Sequence, residues 1–181
     1  MFRRLRNQAQ QANPLNATQL QTLRQANQFV ASGQPGQAAP LYAGLASEME
    51  TANHPRRAAN LHAQAAHAFA DSQQEQRALN QARAALTLFI QYQMVQRTPV
   101  FYANITRKLN AHSMKNAAAA LALEFGKQAG GMPVPASPAP GRGQLPTNCP
   151  QCGGPIHPSS ATWIDGNTAE CEYCGALIRP E

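Results

Sequence analysis

Residues 26–38 read ANQFVASGQPGQA, and residues 66–78, forty positions later, read AHAFADSQQEQRA. Each stretch sets a small residue first, a phenylalanine three positions on and an alanine nine positions after that: Ala26, Phe29, Ala38 and Ala66, Phe69, Ala78. A third, looser copy at 106–118 carries Thr106, Leu109 and Ala118. The register continues through Tyr42, Ala82 and Ala122, and through Leu45, Ala85 and Phe125. A fixed period of this length marks a stack of supersecondary units, each burying its apolar face against the next. Alanines let two helices approach closely, while the large side chain fills the gap between successive pairs.

The surrounding composition is that of helices. Ala, Leu, Gln and Arg dominate up to about residue 127, and β-branched residues are few. The pattern predicts six helices, over 16–32, 35–52, 55–71, 73–96, 99–112 and 114–127. Pro35, Pro55 and Pro99 stand near three of the starts, where a missing N–H costs nothing. The small–aromatic–alanine spacing resembles the tetratricopeptide repeat family over about residues 16–128. Its usual unit is six residues shorter, and its signature Trp and closing Pro are absent here. The resemblance implies antiparallel helical hairpins stacked around a concave groove that binds peptides or helices. An irregular bundle of three helical hairpins carries the same amphipathic pattern and stays open as an alternative.

Between Gly126 and Thr147 the chain reads GKQAGGMPVPASPAPGRGQLPT, too rich in Gly and Pro for helix or sheet. The organisation expected is a basic N-terminal arm at 1–15, a helical repeat domain at 16–128, a Pro/Gly/Ala-rich linker at 129–146 and a zinc ribbon at 147–181. Prolines 133, 135, 138 and 140 favour extended polyproline-type backbone, so the linker is expected to hold the ribbon away from the helices.

All four cysteines fall in that last segment. Cys149 and Cys152 form one CxxC, Cys171 and Cys174 another, with eighteen residues between the pairs. This is zinc-ribbon spacing, in which each pair turns tightly enough to aim two sulfurs at one tetrahedral ion. Gly153 and Gly175 follow the pairs where a left-handed residue would turn backbone N–H groups toward the thiolates. Ala161, Thr162, Trp163 and Ile164 read as a strand, and Asp165-Gly166 as a hairpin turn. The fold class is therefore mainly α, with a small β-rich ribbon at the C-terminal side. One structural zinc ion is expected on Cys149, Cys152, Cys171 and Cys174. Mononuclear iron takes the same ligand set, and a disulfide pairing is the third option. His157 is read as a loop residue beside a complete four-sulfur set. No apolar leader follows Met1, which sets the expectation of a cytoplasmic, thiol-preserving location.

Charge is sparse, 13 % of residues, and unevenly placed. Residues 1–131 hold thirteen Lys/Arg and five Asp/Glu, whereas residues 147–181 hold one Arg and four acids. A ribbon that grips nucleic acid is expected to be basic, so an acidic one argues for a protein partner. His54, His62, His67 and His112 show no metal-site spacing, and only five acids accompany them in the helices. No phosphate loop, nucleophile elbow or dinucleotide fingerprint occurs. The function expected is a non-enzymatic protein–protein adaptor: the repeats bind one partner, and the ribbon presents a second surface through Ile156, Trp163, Ile164 and Tyr173. Two alternatives remain. A four-cysteine module on a helical scaffold looks like minimal ubiquitin-ligase-like proteins with a RING-related module. That resemblance implies recruitment of a ubiquitin-conjugating enzyme through Ile156, Trp163 and Pro180, without a catalytic nucleophile. The other is nucleic-acid binding, since Arg56, Arg57, Arg77, Arg83, Arg97, Arg107, Lys108 and Lys115 supply cations on the helices.

Overall fold

The structure is a computed structural model that describes residues 15–131, 144–156, 161–163, 167–174 and 176–180. Six helices come first: α1 (Ala17–Ala31), α2 (Pro35–Thr51), α3 (Pro55–Asp71), α4 (Glu75–Gln91), α5 (Thr98–Ala111) and α6 (Lys115–Ala129). Three two-residue strands follow, β1 (Thr162–Trp163), β2 (Ala169–Glu170) and β3 (Leu177–Ile178). They form an antiparallel sheet in the order β1-β2-β3, pairing Trp163 with Ala169 and Ala169 with Ile178. The Asp165-Gly166 turn expected between β1 and β2 lies outside the described residues, as do Ile164, His157, Gly175 and nearly all of the basic arm.

Helix starts follow local chemistry. Asn16 caps α1 through a reciprocal box, its Oδ1 accepting from the Gln19 N–H at 2.9 Å while Gln19 Oε1 accepts from the Asn16 N–H at 3.1 Å. Pro35 and Pro55 open α2 and α3, and Pro99 lies in the first turn of α5.

The ends of α1 to α5 share one device, repeated every twenty residues. Gly33, Asn53, Gln73, Gln93 and Ser113 all take left-handed backbone, with φ between 52° and 73°. The N–H of the next residue in each case bonds the carbonyl five positions back: Gln34 to Phe29, His54 to Met49, Gln74 to Phe69, Met94 to Phe89 and Met114 to Leu109, all at 2.8–2.9 Å. The left-handed residue itself donates three positions back. These are five Schellman turns, and each closes on the carbonyl of a large apolar residue. The forty-residue period of the sequence is thus two copies of a twenty-residue period in the turns.

This device corrects one expectation. A helix over 73–96 was expected, but α4 stops at Gln91. Gln93 goes left-handed at φ 52°, and Met94 starts a short turn whose carbonyl accepts from the Arg97 and Thr98 N–H groups before α5 begins. Neither Gly nor Pro marks that stop in the sequence.

Consecutive helices pack on one another, α3 also touches α5, and α4 also touches α6. The central position falls to α3. Twelve of its seventeen residues are buried, on every side, and seven of those are alanines. A helix buried all round needs small side chains wherever a neighbour comes close. Phe89, fully buried on α4, meets Phe101 of α5 edge-on at 5.6 Å between ring centres, and His67 of α3 meets the same ring at 5.4 Å.

The ribbon is not held away from this stack. Leu145, Cys149, Cys152, Tyr173, Cys174 and Ile178 belong to the same buried apolar cluster as the helical residues. Side chains of α1, α3 and the α4–α5 turn bond the ribbon directly. The expected stand-off through the linker is thereby corrected: opposite charge and complementary hydrogen bonding bring the two parts together.

Gln93 carries the cost of left-handed backbone with an exposed side chain. Gln93→Gly should raise the unfolding free energy by about 1 kcal/mol, while Gln93→Val, which adds a branched Cβ, should lower it by about as much. Urea titration of both variants reads the signs; a loss in both would contradict the turn assignment.

Candidate metal centre

Each cysteine pair sits on a tight turn closed in the same way. The Cys149 N–H donates to the Gly154 carbonyl and the Cys171 N–H to the Ala176 carbonyl, both five residues on and both at 2.8 Å. In the first turn Gly153 takes φ +75°, as its place after the pair predicts, and its N–H donates to the Cys149 carbonyl at 2.7 Å. The Gly154 N–H then points at Cys152 Sγ from 3.4 Å, a hydrogen bond that favours the thiolate form. Gly154 is obligatory for a second reason: a Cβ there would lie 2.8 Å from the Tyr173 ring and 3.3 Å from Cys152 Sγ.

The four sulfurs converge. All lie within 4.8 Å of one another, with Cys149 and Cys174 at 3.7 Å and Cys152 and Cys171 at 3.8 Å. Sulfurs so far apart are not bonded as disulfides, whose S–S length is about 2.05 Å. A tetrahedral ion bound at about 2.3 Å requires sulfur–sulfur edges of about 3.8 Å. The donor set and its spacing therefore fit one four-coordinate metal ion such as zinc. Every cysteine is 1–2 % exposed, so the sulfurs enclose the position between them.

What holds the two turns together is the helical stack. Arg24 Nε of α1 donates to the Gln151 carbonyl at 2.7 Å, and Asn27 Nδ2 donates to the Cys152 carbonyl at 2.6 Å. Tyr42 of α2 donates its hydroxyl to Asn27 Oδ1 at 2.6 Å, which fixes the amide with its nitrogen toward the ribbon. Burial raises the Tyr42 hydroxyl above the ordinary phenol value and keeps it a donor. At the second turn Asn60 Nδ2 of α3 donates to the Glu172 carbonyl at 3.2 Å, and Gln64 Nε2 donates to the Tyr173 hydroxyl at 2.8 Å. Two ion pairs flank these bonds, Arg57 with Glu170 at 3.2 Å and Arg97 with Glu172. Burial pushes the Glu170 carboxyl up, and Arg57 opposes that shift.

The other candidate residues fall in different places. Ile156 and Trp163 are half-buried against the core cluster, Pro180 is half-buried, and Ile164 and His157 lie outside the described residues. Tyr173 is 1 % exposed and faces α3. Two of the histidines, His62 and His112, lie beside acidic groups, and these come from other helices. His62 lies 3.3 Å from Glu50 and 2.6 Å from Gln81, and His112 lies 3.2 Å from Asp71. Among the described residues, the four cysteines alone form a cluster able to hold a metal. Sequence reasoning missed Arg24, Asn27, Asn60 and Gln64. A signal was present: Arg57, Asn60 and Gln64 repeat at helical spacing through an alanine-rich helix, a polar stripe that reads as a solvated face until something is found to cover it.

Zinc titration should give about one ion per chain, lost in Cys171→Ser, and Gly154→Ala should weaken binding about tenfold because the added methyl forces Tyr173, and with it the second turn, away from the first. Unchanged affinity in Gly154→Ala would contradict the geometry of that turn. Comparison with known protein families, with curated proteins and with solved structures finds no match for this chain.

Proposed function

We propose that this chain is a protein–protein adaptor in which tetratricopeptide-like hairpins form the scaffold and a structural zinc ribbon completes it. The observation that carries this reading is the joint between the parts: helix side chains grip the backbone of both cysteine turns. An ion enclosed by four buried thiolates has no open coordination position and serves folding. The twenty-residue recurrence of the turns supports a repeat scaffold. Partner contacts fall to the outward apolar side chains, with Leu123 88 % and Leu177 65 % exposed, and to the half-buried Ile156 and Trp163 of the ribbon. Tyr173 is engaged within the chain and is not among them. Arg57 and Arg97 are neutralised by the ribbon's glutamates, which takes two cations from a nucleic-acid reading.

Affinity capture on the zinc-loaded chain in the presence of nuclease tests the proposal. The expected result is a set of protein partners that survives nuclease and is depleted with Cys171→Ser/Cys174→Ser. Recovery that vanishes with nuclease, or falls steeply with salt, would replace the adaptor by a nucleic-acid binder.

A further inference from the structure

Six hydrogen bonds cross from helix side chains to the ribbon, and all six run in one direction. Arg24, Asn27, Arg57, Asn60, Gln64 and Arg97 all donate; the ribbon supplies three backbone carbonyls, two carboxylates and a phenol oxygen as acceptors. The helical stack thus presents a face of donors, two of them guanidinium groups buried against the ribbon. Such a face selects a ligand by chemistry: a turn whose carbonyls point outward, flanked by carboxylates at alternate positions, as Glu170 and Glu172 are. At the second cysteine turn the Glu172 carbonyl, the Glu170 and Glu172 carboxylates and the Tyr173 hydroxyl are gathered into one shape by the pair Cys171 and Cys174. Without a metal on the four thiolates, that shape rests on the Cys171–Ala176 backbone bond, the short strand pairing and the helices alone.

We propose that the face made by Arg57, Asn60, Gln64 and Arg97 is a recognition site for acidic turns, that the metal-bound ribbon occupies it in cis, and that loss of the metal opens it to an acidic segment of a partner protein. The proposal rests on the adaptor reading and gives it a partner chemistry and a gate. A site filled by its own chain binds an outside ligand in proportion to the fraction of molecules in which it stands open. Zinc raises the filled fraction, so zinc and the acidic partner oppose each other.

The test uses the full chain and a labelled peptide copying residues 168–177 with serine at both cysteine positions, so that the probe holds two glutamates and no metal ligand. Fluorescence anisotropy should show saturable binding to the zinc-stripped chain and binding at least about tenfold weaker to the zinc-loaded chain. Arg57→Ala/Arg97→Ala, or glutamine for both peptide glutamates, should abolish it. Circular dichroism of the zinc-stripped chain should retain the helical signal. Equal binding in both metal states, no saturable binding, binding indifferent to the arginines, or helices that melt with the metal would each overturn the proposal. Protein partners captured by the zinc-loaded chain alongside a failed peptide titration would leave the adaptor reading in place and remove this one.

Discussion

The structure depends on backbone carbonyls at the two cysteine turns being satisfied by side chains from another part of the chain. A turn tight enough to aim two sulfurs at one ion leaves carbonyls pointing outward, and once buried they need donors. Arg24 and Asn27 supply them to the first turn, and Asn60 to the second. About thirty-five residues with three two-residue strands bury little apolar area of their own. The ribbon therefore draws on the helical stack outside its own core, and its four converging sulfurs could hold a metal ion as a second source. Tyr42 extends the connection one layer deeper by fixing the Asn27 amide from α2.

The unusual composition of α3 follows from this position. It packs on α2, α4 and α5 and bears the ribbon on its remaining side, so its exposed charged residues, Arg56 and Asp71, are confined to its two ends. Alanine fills the sides where helices approach, and Arg57, Asn60 and Gln64 fill the side that meets the ribbon's acceptors, a carboxylate, a backbone carbonyl and a phenol oxygen. The charge imbalance between the two halves of the chain has the same origin. A basic helical region and an acidic ribbon complement each other within one molecule, through Arg57 with Glu170 and Arg97 with Glu172. Acidity that argues for a protein partner when the ribbon is considered alone is met in part by the chain itself.

Much of this was legible in the sequence. Cysteine spacing picked out the four residues whose sulfurs converge, because few other arrangements satisfy two CxxC pairs, and proline and helix-favouring composition placed five of the six helices closely. The overlong fourth helix was missed because its stop at Gln93 uses a left-handed residue that carries no sequence mark, unlike Gly33 in the first turn. The twenty-residue period was hidden because its signature residues vary, from Phe29 through Met49, Phe69 and Phe89 to Leu109. The docking of the ribbon was invisible for a different reason. Asn27, Asn60 and Gln64 are neutral amides, common throughout this chain, and only the fold brings acceptors more than a hundred residues away, two backbone carbonyls and the Tyr173 hydroxyl, within their reach.

The central claim is that ribbon and helices form one body, and a double-mutant cycle between Gln64→Ala and Tyr173→Phe in the zinc-loaded chain tests it most directly. These positions lie 109 residues apart, on opposite sides of the linker, and touch only if the ribbon is docked. The account predicts a coupling free energy of about 0.5–1.5 kcal/mol in urea unfolding, the worth of one hydrogen bond. Strict additivity of the two substitutions would mean that the ribbon swings free of the helices and that the joint described above does not exist in solution.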